Sequence, residues 1–421
     1  MPVTSVERLK RCLNHEQPDR VPVDFGSTHV TGITVWAVIK LRKVFLGEAR
    51  PLVKVIEPYQ MLGEIDDTLR GALGIDTMGV YSDSTMFGFE NRDWKPFTLH
   101  DGTEVLVPGK FNPTTNEKGD LFVHPEGDTS IPPSGRMPKG GYYFDAIPRQ
   151  DPVDDSRLDP AENLVEFELL TEKEIQALAE KAKRAASLQK AAVLSVPGTG
   201  FGDIALVPAM WLKKTPGIRE IEEWYISTIA RRDYVYRVFE GQLETALRNL
   251  ERLIPALGTD VQVAFVTGTD FGTQRGSFIS PEAYRDLYKP FHRKVNDFIH
   301  GRSGWKTFIH SCGSVLNLIP DFIDAGFDIL NPVQCSAAGM DPARLKKEFG
   351  KDLVFWGGGT DTQMTLAFGN PDQVYREVAE RIRIFGRGGG FVFNAIHNIQ
   401  ATTPAENMLA MFKAVRETGH G

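Results

Sequence analysis

Short apolar runs alternate with helical patterns along the chain. Residues rich in β-branched and aromatic side chains cluster at 21–25, 77–80, 192–196, 261–267, 305–310, 328–333, 353–356 and 391–396, and each run stops at Gly, Pro or a polar cluster. Between them, apolar positions repeat at helical spacing. After Asn370-Pro371, the residues Val374, Val378 and Ile382 fall four apart, and the helix they predict ends at Gly386. After Ser280-Pro281, the residues Tyr284, Leu287, Tyr288, Phe291, Val295 and Phe298 share one face, with a kink expected at Pro290. Both segments set a cap residue before a proline at the first helical position. Thr171 with Glu174 and Thr403 with Glu406 have capping-box spacing. Eight strand runs separated by helices predict an α/β fold, a (β/α)8 TIM barrel spanning 1–421 as a single domain. An open doubly wound sheet shares the alternation but lacks its usual Gly-rich first turn here.

The rhythm breaks over 90–155, which is rich in Gly, Pro, Asp and Asn, with short apolar pieces at 103–107 and 121–123. Asp101-Gly102 reads as a hairpin turn. The segment is expected to be a β-hairpin-rich insertion after the second strand, either lying exposed on the barrel or closing over its mouth.

Charge narrows the function classes. The chain carries 48 basic and 55 acidic side chains, a net charge of −7. That is not the footprint of a nucleic-acid binder, and it suits a protein that handles small molecules. No stretch reaches the ~18 apolar residues of a membrane span, and the opening segment has no signal-peptide core. Three cysteines without framework spacing, Cys12, Cys312 and Cys335, exclude a disulfide scaffold and make a reducing cytoplasm the expected setting.

In a barrel of this kind the chemistry sits at the C-terminal ends of the strands. His310 and Cys312, in TFIHSCGS, stand two apart at such an end, so both leave on one face. Imidazole and thiolate together suit Zn²⁺, although the same spacing fits a hydrogen-bonded histidine beside a buried thiol. Cys335 follows the sixth run, and His397 ends the eighth in phase with Phe391, Phe393 and Ala395. Either can complete a metal site; the alternatives are a packed thiol and a core or substrate-binding histidine. Other strand ends offer Asp270 with Gln274 and Arg275, Asp361 with Gln363, Asp24 with His29, and Asp76 and Asp83 around the second run. Of these, Asp270, Gln274, Asp361 and His397 are the expected catalytic group, with Asp24, His29, Asp83 and Gln363 binding substrate. An isolated Asp there is also a common helix cap or turn former. The glycine clusters at 198–200 and 388–390 lack the phosphate-loop lysine pattern and read as close backbone packing.

At these residues the chain resembles the uroporphyrinogen decarboxylase superfamily, and within it the corrinoid-dependent methyltransferase branch. RLKRCLNHEQPDRVPVDFG is similar to the family's opening Arg-Pro signature, and HNIQATTPAEN to its last βα loop. FIHSCGSVLNLIPDFIDAGFDILNPVQ resembles the methyltransferases specifically. In that branch a His-x-Cys pair and a ligand from the last βα loop hold zinc. That ligand is commonly a cysteine; the matching position here is His397, and Cys335 is the alternative. The decarboxylases carry an arginine-rich segment after the first strand that grips a polycarboxylate porphyrin, whereas DFGSTHVTGI contains no arginine.

The resemblance therefore implies a zinc-dependent methyltransferase working between a methylated small molecule, such as a methoxylated aromatic, and a corrinoid protein. The reverse transfer to a thiol is the sister activity. A cofactor-free decarboxylase is the runner-up, and a barrel that only binds a ligand would have neither metal nor turnover. No Asp-x-His-x-x-Gly cobalamin motif occurs, so the corrinoid is expected on a separate partner. Neither nucleic acid nor membrane is an expected partner, and a homodimer is compatible with the resemblance. Trp94, Phe97, Phe122, Tyr142, Tyr143 and Phe144 of the insertion would either border the docking face or pack the hairpins onto the barrel.

Overall fold

The computed structural model describes residues 3–420. Among them, seven parallel strands form one curled sheet with neighbours in chain order: β1 Thr77–Val80, β2 Ala191–Ser195, β3 Val261–Thr267, β4 Lys306–His310, β5 Ile329–Asn331, β6 Val354–Trp356 and β7 Phe391–Val392. Alternation along the strands divides the core in two. Val193, Val263, Phe308, Ile329, Val354, Trp356 and Val392 pack together with Leu9, Cys12 and Leu13 of the helix Ser5–Leu13, which plugs the sheet's concave side. Leu194, Ala264, Ile309, Leu330 and Phe355 belong to the larger outer layer under the helices. Cys12 is inert packing: its thiol donates to Phe391 O, and burial pushes its pKa up to about 12.

The expected first strand, 21–25, is the exception. It makes a single parallel bridge, Val23 to Phe393, rather than a ladder. Asp24 N–H donates to Phe393 O and Asp76 N–H donates to Val23 O, so the segment is tied to both edges of the sheet. Two of the donors that a longer ladder would use are missing. Pro22 has no N–H, and Val23 gives its own to the Asp76 carboxylate. The eight-stranded expectation is corrected to a seven-stranded, TIM-barrel-like sheet with an extended segment at its seam.

Capping follows the sequence at Thr171/Glu174 and Asn370/Gln373, where both halves of each capping box form. It does not at Thr403. The helix Ala405–Thr418 has Pro404 at its N-cap without a side-chain bond, and the Thr403 carbonyl accepts from Lys40 Nζ. The kink expected at Pro290 takes the form of a π turn over Tyr284–Tyr288 leading into the helix Lys289–His300. Pro290 cannot donate to Asp286 O, and that carbonyl accepts from the Tyr236 hydroxyl instead.

Between β1 and β2 the chain forms a hairpin, Lys95–Thr98 with Glu104–Val107, and an antiparallel sheet of Thr114–Thr115, Leu121–Val123, Gly135–Met137 and Asp145–Ala146. The hairpin turns where expected, with Gly102 at φ +80°. Most of the aromatics pack inward: Phe144 is buried among Phe87 and Phe111, Phe97 sits edge-on to Phe111, and Tyr142 edge-on to Trp36. Tyr143 is the one left substantially open, at 54% exposure. No helix of the described residues is long and apolar enough to cross a membrane.

Candidate metal centre

β4 ends on His310, in phase with the inward Phe308, so its imidazole emerges at the C-terminal end of the sheet. Cys312 follows in a loop that folds back on the imidazole, with Cys312 Sγ 3.3 Å from His310 Nε2. The fold-back depends on Gly313 at φ +85°, where a Cβ would run into the Gly272 backbone. His397 reaches the pair from the loop after β7. One donor atom from each of His310, Cys312 and His397 lies within 4.8 Å of the others, a grouping that can hold a metal ion. In a tetrahedral zinc shell, N and S donors stand about 3.6 Å apart, close to the observed pair.

The donor atoms are also presented in the right state. Asn331 Nδ2 donates to Trp356 O at 2.7 Å, so its Oδ1 is the acceptor facing His310 Nδ1 at 2.5 Å. That proton on Nδ1 leaves the Nε2 lone pair free toward Cys312 and His397. His397 is neutral, since burial beside His310 pushes its pKa down to about 3. Asp270 Oδ1 accepts from the Cys312 N–H at 2.6 Å and stands 3.8 Å from His310 Nε2. Burial, with Asp270 adding, holds the Cys312 thiol well above its usual range, a bias that a bound cation reverses.

Not every expected residue joins them. Cys335 lies outside the cluster: β5 ends at Asn331 and the chain turns, so the thiol faces Val333 O and Gly358 O. The phase argument for His397 also fails, because Phe391, Phe393 and Ala395 face the outer layer and β7 stops at Val392. His397 reaches the site by its loop. Asp24 is fully buried, accepting from Trp356 Nε1 and Thr77 Oγ1. Asp83 pairs with Lys181 at the surface, and Asp361 accepts from the Gln363 and Met364 amides as a turn former. These three hold structure together, and none of them is among the residues lining the two cavities that flank the cluster. Gln274 donates to Gln363 Oε1, and both line a pocket of about 280 Å³ with Cys312, Gln334 and His397.

On the other side of the triad lies a cavity of about 530 Å³, whose wall includes His310, His397, Asp270 and His29. A larger cavity of about 630 Å³ opens at the opposite rim, beside Lys10, Val261 and Lys306, away from these residues. Sequence reasoning missed three acids of the 530 Å³ cavity, Glu57, Asp145 and Asp203. Glu57 is 1% exposed and receives only the N–H groups of Tyr59 and Gln60. Burial pushes its pKa up to about 7. Asp203 is likewise raised to about 7, by burial and by Asp270, against the Ala205 N–H that it accepts. Asp203 was findable, since it lies just beyond the glycine cluster 198–200 that follows β2 and reads as close packing. After β3, Gly268 gives the carboxylate room, since a Cβ there would stand 2.9 Å from Asp203 Oδ2.

The Glu57 shift has a consequence for stability. The folded chain keeps this proton up to about pH 7, whereas the unfolded chain releases it near the ordinary value of 4.5. Glu57 therefore makes folding less favourable as pH rises from 4.5 to 7, by about 3 kcal/mol at ~1.36 kcal/mol per unit. Glu57→Gln should flatten the pH dependence of the urea midpoint across that window. An unchanged slope would show that Glu57 does not titrate there.

Residues 154–418 match the uroporphyrinogen decarboxylase (URO-D) family. The chain is similar to the uroporphyrinogen decarboxylase of Psychromonas ingrahamii, 30% identical over 151 residues that cover 34% of this chain and 39% of the relative. It is 24% identical to that of Nitrosomonas europaea over 229 residues, 52% of this chain and 58% of the relative. The matches thus span less than two thirds of either relative's length. In fold it is similar to a methyltransferase from Methanosarcina mazei, with a TM-score of 0.53 and 16% identity over 99% of each chain. The family match runs through six of the seven sheet strands, β2 to β7, and well over half of the residues: the chain belongs to the uroporphyrinogen decarboxylase family.

Proposed function

We propose that this protein is a zinc-dependent methyltransferase that moves a methyl group between a methylated small molecule and a corrinoid carried by another protein. The observation that carries this reading is the triad of His310, Cys312 and His397 beside a cavity of small-molecule size. Three protein ligands of N and S type leave one position open, as in catalytic rather than structural zinc sites. Likeness to a methyltransferase fold over the whole chain is in keeping with it. Cys335 is set aside as a ligand on its geometry, and His397 takes its place.

The names of the relatives favour a second reading, decarboxylation of a polycarboxylate tetrapyrrole. The cavity argues against it. Among the described residues, Glu57, Asp145, Asp203 and Asp270 line it and no Lys or Arg does. A polyanion would meet carboxylates and find nothing to neutralise it.

When bound, zinc would act as a Lewis acid on a thiol or on the heteroatom that carries the methyl group. The protein's own groups do the rest. Asn331 orients His310, and Asp270 holds the Cys312 loop through its amide. Met86, Leu206 and Phe265 keep the cavity wall apolar between the acids. Glu57 and Asp203, both near neutrality, can exchange a proton with a leaving group at physiological pH. Residues 90–155, proposed as an insertion in one barrel domain, contribute Tyr143, Phe144 and Asp145 to the wall. With their aromatics mostly packed inward, the better surface for the corrinoid protein is the rim beside Gln363. There Met364 and Phe368 are exposed by 67% and 81%.

Metal analysis and methyl transfer test the reading together. Purified protein should contain about one zinc per chain. With cob(I)alamin and a panel of methylated ethers, amines and sulfonium salts it should form methylcobalamin, and chelation should abolish this. Metal-free protein that releases CO2 from a tetrapyrrole carboxylate would move the assignment to the decarboxylase.

A further inference from the structure

We propose that the ligand of the 530 Å³ cavity is a methylated onium cation, a quaternary ammonium or tertiary sulfonium, held by an acidic and aromatic wall beside the His310–Cys312–His397 cluster. This rests on the reading of that cavity as the methyl donor's site, and it replaces the methoxylated aromatic with a charged donor.

The wall carries four carboxylates and, among the described residues, no lysine or arginine. A divalent ion held with one thiolate would add a single net positive charge against them. Lys181, whose charge reaches His29, is already engaged by Asp83 at 2.8 Å and Tyr81 O at 2.7 Å. The acids converge rather than scatter: Glu57, Asp145 and Asp203 all act on the Tyr59 hydroxyl, holding it above its usual range after burial has done the most. Two of them are short of partners. Among the described residues, Glu57 takes one backbone N–H on each oxygen and no side-chain donor, and the half-buried Asp203 takes the Ala205 amide on Oδ1 alone. Carboxylates gathered on one cavity wall with no basic side chain among them favour a counter-cation.

The rings decide what kind of cation. Tyr59, Tyr143, Phe144 and Phe265 line the same cavity. Aromatic faces attract a diffuse methylated cation through their quadrupoles, while a hard metal ion favours oxygen ligands and a primary ammonium wants an acceptor for each of its three N–H groups. An onium also presents the methyl group that the triad would require. A neutral ether leaves the carboxylates uncompensated, and a methoxybenzoate adds another negative charge.

The test is calorimetric titration of the full-length protein, as purified with its metal, at pH 8. The probes are tetramethylammonium, choline, trimethylsulfonium, the neutral choline isostere 3,3-dimethylbutan-1-ol, and 4-methoxybenzoate. At least one cation should bind ~10-fold or more tightly than the isostere, with 4-methoxybenzoate weakest. Its affinity should fall several-fold between about 50 mM and 500 mM salt. Asp203→Asn and Glu57→Gln, checked for folding by circular dichroism, should each weaken the cation about fivefold or more and leave the isostere unchanged. Equal binding of cation and isostere, tighter 4-methoxybenzoate, or no binding of any cation would overturn the assignment. Zinc measured on the same sample separates the two readings. Zinc-loaded protein that prefers 4-methoxybenzoate keeps the methyltransferase and loses the cation; zinc-free protein that still prefers the cation does the reverse.

Discussion

Cys312→Ala should purify folded but nearly free of metal, with zinc falling from about one equivalent to under a tenth. Loss of a group that merely orients a ligand typically costs 10–100-fold in affinity, and loss of a ligand should cost more. The fold has little stake in this thiol. Cys312 is half-buried in a loop after β4, where its sulfur meets only the polar groups of His310 and Asp270 among the described residues, so the metal-free variant should melt within ~1 kcal/mol of metal-free wild type. Cys335→Ala is the control. Its thiol faces the carbonyls of Val333 and Gly358, so it should keep full zinc. Elemental analysis of both variants, with circular dichroism melts after chelation, decides it. Full zinc in Cys312→Ala would remove the residue from the site and point to Asp270, 3.8 Å from His310 Nε2, as the ligand in use.

What could be read from the chain beforehand divides along the reach of the interactions. Seven strand runs were legible because each is a local apolar pattern that ends where its hydrogen bonding ends. The eighth, 21–25, has the same composition, and only the partner's side chain shows why it fails: Val23 N–H goes to Asp76, 53 residues away. His310 and Cys312 were legible as a pair because they are two residues apart at a strand end. His397 was named for a phase it does not keep, since β7 stops two residues in, and it arrives by loop geometry that no periodicity encodes. Glu57 was invisible for a similar reason. It sits in a short antiparallel strand, Val55–Glu57, between the seam segment and β1, and it joins the cavity only through tertiary packing. Asp24, Asp83 and Asp361 show the converse. An acid near a strand end has several structural uses, and burial, an ion pair and a turn account for these three.

Asp76→Ala should destabilise the protein by about 3–5 kcal/mol while leaving zinc content at the wild-type level. Asp76 precedes β1, so it belongs to the rim opposite the chemistry, where a buried acid serves stability. Its carboxylate is fully buried and accepts from five donors: Ser5 Oγ, Arg8 Nη1, both terminal nitrogens of Arg20, and Val23 N–H. Removing it leaves the Arg20 guanidinium with the carbonyls of Val21 and Gly74 and no carboxylate, and leaves Arg8 with Asp19 as its one carboxylate partner among the described residues. It also frees the Val23 amide where the seam segment approaches β1, and loosens the plug helix through Ser5 and Arg8. The loss should appear as an earlier first transition in urea. Amide exchange should quicken at 5–13 and 21–25, with the His310 loop unchanged. Asp76→Asn keeps the shape and one acceptor, so its loss should be smaller. A change below ~1 kcal/mol in Asp76→Ala would mean that the arginines find other partners and that the seam is held by its backbone bonds alone.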